Sequence, residues 1–226
     1  ITEAACGHSY GELVALCGAG RIEPHALHQL SNLRGRLMAG AKGNGSRGGM
    51  LAVQADEQTV SDFLRDESSS LVVANRNAPR QYVLAGSAEE IGKAAGALAK
   101  RSIRSRALQV SAAFHSPLVA DARAPFAQAL EDVAFAKGAM PVYANSSGRE
   151  YPKPARQARE LLANQIVHPV NFMEQILAMH ADGVRTFVEI GPGHVLCDLV
   201  QSILPDDGVA TIAVDSSKGS RSGTFD

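Results

Sequence analysis

Chemistry in this chain starts at Gly7-His8-Ser9-Tyr10-Gly11-Glu12. The run has the G-x-S-x-G form of a nucleophile elbow, a sharp strand-to-helix turn that lifts a serine hydroxyl clear of the backbone. Both flanking positions must be glycine on this reading, because the turn is strained and brings strand and helix close together. Leu13, Leu16 and Cys17 then recur at i, i+3, i+4 before Gly20, the pattern of a short helix. A serine nucleophile needs a base in hydrogen-bond reach, so the seven histidines must be sorted. His25 and His28 lie on a polar helix face, His180 near a helix end, His168 before a proline, and His194 after a Gly-Pro-Gly turn. All five read as surface or capping residues. His8 sits inside the elbow with its side chain expected to point away from that of Ser9, which suits packing or hydrogen bonding. His115, in Ala112-Ala113-Phe114-His115-Ser116-Pro117, falls where a small inserted unit hands back to a larger one, and a cleft is expected at such a junction. It is the candidate base.

The elements that must position this pair alternate along the chain. A second helix is expected over 24–38, with Leu27, Leu30, Leu33 and Leu37 on one side. The glycine-rich run 43–49 lacks the Gly-Lys-Ser/Thr ending of a phosphate loop and reads as a hinge. From residue 50 short units follow: strand 50–53, helix 59–66, strands 71–74 and 81–84 joined by a turn-rich 75–79, helix 88–101 and strand 107–110. That β-α-β-β-α-β order predicts a ferredoxin-like unit over 48–111. Helices at 117–135, 156–166, 172–181 and 195–203, with strands at 142–144, 186–190 and 209–214, predict a mostly parallel sheet. The fold class is therefore α/β: an α/β-hydrolase-like large subdomain (1–47 and 112–226) carrying the small insert. Asn75 and Asn145 fall at strand ends facing the cleft, as turn formers or substrate contacts, and Glu12 suits the positive end of its helix.

Composition narrows the function classes. The balance of 22 basic to 23 acidic residues and 5% aromatics argue against a nucleic-acid partner. No apolar run approaches the roughly 18 residues of a membrane span. Neither a leader nor a membrane is expected, and a cytoplasmic location fits three cysteines without C-x-x-C spacing, of which Cys6 and Cys17, within apolar stretches, read as buried thiols. No metal site is expected. The start without Met and the polar tail at 216–223 read as the ends of a piece of a longer polypeptide.

Six motifs in register carry a resemblance. They are the elbow, Leu33-Arg34-Gly35-Arg36-Leu37-Met38, Ala113-Phe114-His115-Ser116, Tyr143-Ala144-Asn145-Ser146-Ser147-Gly148, Gln165-Ile166-Val167-His168-Pro169-Val170 and Glu189-Ile190-Gly191-Pro192-Gly193. Together they resemble the malonyl-CoA:acyl carrier protein transacylases and the acyltransferase domains of type I polyketide and fatty acid synthases. The elbow tyrosine, followed by Leu13-Val14-Ala15-Leu16-Cys17, most resembles the iterative synthases of enediyne biosynthesis. The resemblance implies that Ser9 attacks the malonyl-CoA thioester and that His115 takes and returns its proton, oriented by the backbone carbonyl of Gln165 rather than by a carboxylate. It implies that Arg34, otherwise a solvated charge on a helix, grips the malonyl carboxylate. Phe114 disfavours an α-methyl branch, although a second histidine often stands where Ala112 is. His8, beside Ser9, joins Arg34 and Phe114 as a substrate-contact candidate. The amide of Tyr10 supplies one oxyanion donor; the other belongs to a Gly-Gln-Gly motif that does not precede Ser9 here, so the chain alone is expected to lack half the hole. No bound cofactor is implied. The acceptor is the phosphopantetheine thiol of an acyl carrier protein, and neighbouring synthase domains are the other partners. Two rivals stand beside this reading: a serine esterase or thioesterase of the α/β-hydrolase kind, and a degenerate domain kept for docking the carrier protein.

Overall fold

The computed structural model describes residues 3–39, 48–67, 69–206 and 208–215. Most of the run read as a hinge, and all of the polar tail, lie outside the described residues. No helix among the described residues is long and apolar enough to cross a membrane.

Two helices follow the elbow, α1 (Gly11–Gly18) and α2 (Pro24–Ala39). The next elements are β1 (Gly49–Val53), α3 (Glu57–Asp66), β2 (Val72–Ala78), β3 (Gln81–Gly86), α4 (Ala88–Lys100) and β4 (Ser105–Ala107). Their strands form one antiparallel sheet in the order β2-β3-β1-β4. Side chains alternate across it, as a pleated strand requires. Leu51, Val53, Tyr82 and Leu84 bury one face against Val60 and Phe63 of α3 and Ile91 and Leu98 of α4. Met50, Val83 and Ala85 on the other face pack on Ala113 and Phe114, so the sheet backs the segment that carries His115. The helix starts are fixed locally: Asp56 accepts from the Thr59 amide, and Ser87 with Glu90 makes a reciprocal capping box.

The expected turn at 75–79 is shorter than the sequence suggests. β2 runs on to Ala78 through two register shifts, and only Pro79 and Arg80 turn the chain. The prolonged strand gains partners from outside its sheet. Arg76 N–H donates to Val170 C=O at 2.8 Å and Val170 N–H to Ala74 C=O at 2.8 Å.

The expected helix 117–135 divides into a 3-10 turn, Pro117–Ala122, and α5 (Arg123–Glu131), with a kink at Val119. Pro125 is the reason, since its ring and missing N–H are accommodated only in the first turn of a new helix. Then come α6 (Ala155–Asn164), α7 (Phe172–Ala181), β5 (Thr186–Pro192), α8 (Val195–Ile203) and β6 (Ala210–Asp215). β5 and β6 pair in parallel, and among the described residues the expected mostly parallel sheet is reduced to this pair and isolated bridges. The strand expected at 142–144 is reduced to isolated bridges, Ala5 with Val142 and Tyr143 with Glu150. Pro141 precedes it and the chain reverses at Gly148, where φ is +62°, which leaves no length for a ladder. Val188, Ile190, Ile212 and Val214 are exposed on the β5–β6 pair. The architecture is α/β, with one core among α1, α2, α5 and α6 and another among α7, α8 and β5.

Candidate active site

The elbow is built by close approach. A Cβ on Gly7 would fall 2.0 Å from the carbonyl carbon and oxygen of Gly11, so only glycine fits. At Gly11 a Cβ would meet nothing within 4 Å, so the expectation that both flanking residues must be glycine is corrected: the constraint falls on Gly7. Ser9 at the apex has φ +52°, a left-handed conformation costing a residue with a Cβ about 1–3 kcal/mol.

From there Ser9 Oγ reaches His115 Nε2 at 2.7 Å. The histidine's Nδ1 lies 2.9 Å from Gln165 C=O, which can only accept, so Nδ1 carries the proton and Nε2 offers a lone pair to the serine. His115 is 3% exposed and also left-handed, with φ +57°. Burial, helped by the Arg34 cation, lowers its pKa to about 4, so the ring is a neutral acceptor at neutral pH. This arrangement can move the serine proton onto the imidazole as Oγ attacks a carbonyl.

Arg34 is not a solvated charge. It is buried, and its Nη2 donates to Ser9 Oγ and to Gln165 Oε1, each at 3.3 Å. Burial lowers its pKa. Its guanidinium carbon lies 5.9 Å from the centre of the Tyr10 ring, whose hydroxyl is 2.8 Å from Ser31 Oγ. A buried guanidinium with neutral acceptors is costly to desolvate and is satisfied best by an incoming anion. Ser9, Tyr10, Arg34, Met38, Ser111 and Phe114 line a cleft of about 580 Å³. Phe114 thus faces the same space as the serine.

His8 stands away from the pair, as its alternate direction in the turn requires. Its Nε2 lies 2.8 Å from Asn77 Oδ1, its ring is 5.4 Å from that of Phe172, and burial lowers its pKa. It joins the elbow to β2 and does not line the cleft. The structure leaves His25, His28 and His168 exposed, and His194 lies 2.9 Å from Asp198. Burial and nearby Glu12 push the Cys6 thiol up to about 12, which suits an inert thiol.

Sequence reasoning missed a polar layer under the elbow. Glu12 is 1% exposed rather than a surface charge at a helix end, and its Oε1 accepts from Tyr151 Oη at 2.5 Å. Gln165 contributes its side chain as well as its carbonyl, Nε2 donating to Ser9 C=O at 2.9 Å. Asn145 does lie in a turn, closed by Gly148 N–H on Ala144 C=O at 2.9 Å, but it is completely buried and does not line the cleft. No sequence spacing signals these partners, because they lie more than a hundred residues from the elbow.

Among the described residues no group of three or more His, Cys, Asp or Glu is placed to hold a metal ion. A neutral serine–histidine pair with a buried arginine at its mouth defines an acyl-transfer type of site. The family model for the acyl transferase domain matches residues 2–218, and the chain belongs to that family. It is 34% identical over 218 residues to a polyunsaturated fatty acid synthase of Thraustochytrium sp., covering 95% of this chain and 8% of that one. It is 35% identical over 213 residues to the malonyl CoA-acyl carrier protein transacylase of Bacillus subtilis, covering 92% and 66%. Among solved structures it is similar to the acyltransferase domain of the iterative polyketide synthase in enediyne biosynthesis, with TM-score 0.82, 29% identity, and 99% and 56% of the two chains covered. The chain therefore spans less than two thirds of the length of each of these three.

Proposed function

We propose that the protein loads malonyl from malonyl-CoA onto Ser9 and passes it to the phosphopantetheine thiol of an acyl carrier protein, as part of polyketide biosynthesis. The observation that carries this reading is the buried Arg34 guanidinium 3.3 Å from Ser9 Oγ, beside the serine–histidine pair. Ser9 Oγ attacks the thioester carbonyl while His115 Nε2 takes its proton. The tetrahedral oxyanion turns toward the Tyr10 N–H, and collapse expels the CoA thiol with the proton returned by His115. The carrier-protein thiol then repeats the sequence in reverse, giving ping-pong transfer. Gln165 C=O holds the imidazole tautomer, so no carboxylate is needed, which separates this site from a hydrolase triad of serine, histidine and acid.

Arg34 grips the free carboxylate of the malonyl group through a charge-assisted pair. Phe114, lining the cleft, crowds an α-methyl branch and favours malonyl. His8 acts through packing behind the elbow. The strand order β2-β3-β1-β4 in a β-α-β-β-α-β unit supports a ferredoxin-like small subdomain over 48–111, set into an α/β-hydrolase-like large one over 1–47 and 112–226. Acyl carrier protein and neighbouring synthase domains in the cytoplasm are the partners, with no cofactor of the domain's own.

Intact-mass measurement of the full-length protein after incubation with acyl-CoAs tests this. A malonyl adduct is expected on Ser9 and lost in Ser9→Ala. Arg34→Ala is expected to lower malonyl loading by about 10²-fold, the worth of a charged hydrogen bond, and to leave acetyl loading unchanged. Undiminished malonyl loading in Arg34→Ala would remove the main support for a carboxylate-selective transferase and favour a general serine hydrolase.

A further inference from the structure

Asn145 touches neither the cleft nor the base, yet its side chain contacts the elbow at Gly7 and at Ser9, on both sides of His8. Its side-chain Nδ2 donates to Gly7 C=O at 2.5 Å and to Gln175 Oε1 at 3.2 Å. Its Oδ1 accepts from Ser9 N–H at 2.6 Å and from Gln165 Nε2 at 3.4 Å. Gly7 C=O can only accept and Ser9 N–H can only donate, so the two ends of the amide are assigned by chemistry alone. The main chain of Asn145 is anchored as well: its N–H donates to Glu12 Oε1 at 3.3 Å, and its C=O accepts from Asn171 N–H at 2.8 Å. Gln175 is itself held, its Nε2 donating to Tyr143 C=O at 2.6 Å.

We infer that Asn145 is the positioning residue of the nucleophile: its amide bridges Gly7 and Ser9 across the turn and holds Ser9 in the left-handed conformation that aims Oγ at His115. The inference rests on Ser9 being the nucleophile. A bridge of this kind does two things that the glycines do not. It occupies the Ser9 amide, which leaves the Tyr10 N–H as the elbow's donor for an oxyanion. It also ties nucleophile to base, because Gln165 meets Asn145 and Ser9 with its side chain and His115 with its carbonyl. A small rotation of the elbow would turn Oγ away from Nε2 without opening the core, and misplacement by about 1 Å can cost about 10²-fold in rate.

The test uses Asn145→Ala and Asn145→Asp in the full-length protein. Aspartate keeps an acceptor for Ser9 N–H but sets a second oxygen against Gly7 C=O, breaking one half of the bridge. Ser9 labelling is timed with a fluorophosphonate probe, which needs only an aimed serine and its base, and separately with malonyl-CoA. Rates are divided by the folded fraction from thermal melts. Both variants are expected to label about 10²-fold more slowly across the pH range, with the inflection of the pH profile unmoved and half-saturation by malonyl-CoA within about threefold. A residue that merely supports the fold would lower the melting temperature and leave the rate per folded molecule unchanged, and that result would overturn the inference. Should Asn145→Ala fail to fold, Asn145→Asp, an almost isosteric change, decides by the same criterion. A wild-type protein that reacts with the fluorophosphonate but not with malonyl-CoA would sink the acyl-transfer reading and leave the role of Asn145 standing or falling on its own rates.

Discussion

Ser9 and His115 are two of the three non-glycine residues with positive φ among the described residues. Backbone strain is thus concentrated on the pair whose side chains meet, and the surroundings must over-determine both conformations. The same crowding sets the chemistry of His115. Its ring is neutral above about 4, so serine acylation is expected to stay on its plateau well below the ordinary histidine range and fall only as pH drops through about 4. The second cause of that depression is Arg34, whose cation disfavours a charged imidazole. Arg34→Ala should therefore move the inflection upward and Arg34→Lys should leave it low, as read by single-turnover acylation against pH. An inflection that ignores the charge at residue 34 would mean that burial alone sets the base. Phe114→Ser should admit methylmalonyl, with selectivity shifting by about 10–200-fold, the worth of a methyl group in a pocket. Unchanged competition between the two acyl-CoAs would take Phe114 out of the specificity argument. Ser9 and His115 were legible from residue type and placement, Arg34 and Phe114 only through the resemblance of the motifs that carry them. Asn145 and Glu12 were not, because an asparagine after a short apolar run and a glutamate opening a helix have ordinary local explanations, and their actual partners come from distant turns.

The elbow shows how one element depends on a single contact distance. Gly7 is fixed by the backbone of Gly11, whereas Gly11 opens α1 with free space around it. Gly7→Ala is expected to prevent the turn from closing and to abolish both folding of the large core and Ser9 labelling. Gly11→Ala is expected to leave labelling intact and to raise stability by as much as about 1 kcal/mol, since alanine is the better helix former. A denaturant titration of both variants decides, and equal damage from the two would show that the elbow needs glycine on both sides after all. Element types were read well wherever the hydrophobic period was long, as in α7, α8, β1 and β3, whereas the strand expected at 107–110 forms instead as β4 at Ser105–Ala107, sharing only Ala107 with it. Strand β2 was cut short because Asn75, Arg76, Asn77 and Pro79 look like turn chemistry. What overrides that chemistry is tertiary: Val170 pairs with the strand's backbone and His8 takes the Asn77 side chain. The strand expected at 142–144 fails for the converse reason, a good local pattern with no room to extend.

At the scale of the molecule, the elbow is one of the places where distant segments are fastened together, beside the Val170 bonds to β2 and the apolar packing on Ala113, and its own fastening is polar. His8 reaches β2 of the small sheet, while Asn145, Tyr151 and Glu12 lie beneath it in the large core. The Glu12 carboxyl is the vulnerable part of this layer. Its Oε2 is buried without a hydrogen-bond partner among the described residues, and burial raises its pKa from 4.5 to about 7. Tyr151 and Asn145 N–H, with the more distant Arg34 cation, oppose that rise without cancelling it, and Cys6 faces the same carboxyl as an uncharged thiol. A group with a raised folded-state pKa contributes its stability below the unfolded value and loses it as pH climbs to the folded one. Between pH 4.5 and 7 the fold should therefore forfeit on the order of 3 kcal/mol, because the unfolded chain ionises Glu12 freely and the folded one does not. His115 acts in the opposite sense, its lowered pKa removing stability as pH falls from the ordinary histidine value toward about 4. Glu12→Gln imitates the protonated acid: its oxygen can still accept from Tyr151 and Asn145, and its amide nitrogen takes the place of Oε2. The variant is expected to match the wild type near pH 5 and to unfold several degrees higher at pH 8, with Ser9 labelling at neutral pH retained. Thermal melts across pH 5–8 give the answer, and a difference between the two proteins that does not grow with pH would mean that Glu12 is ionised in the fold and that the layer under the elbow is held by charge.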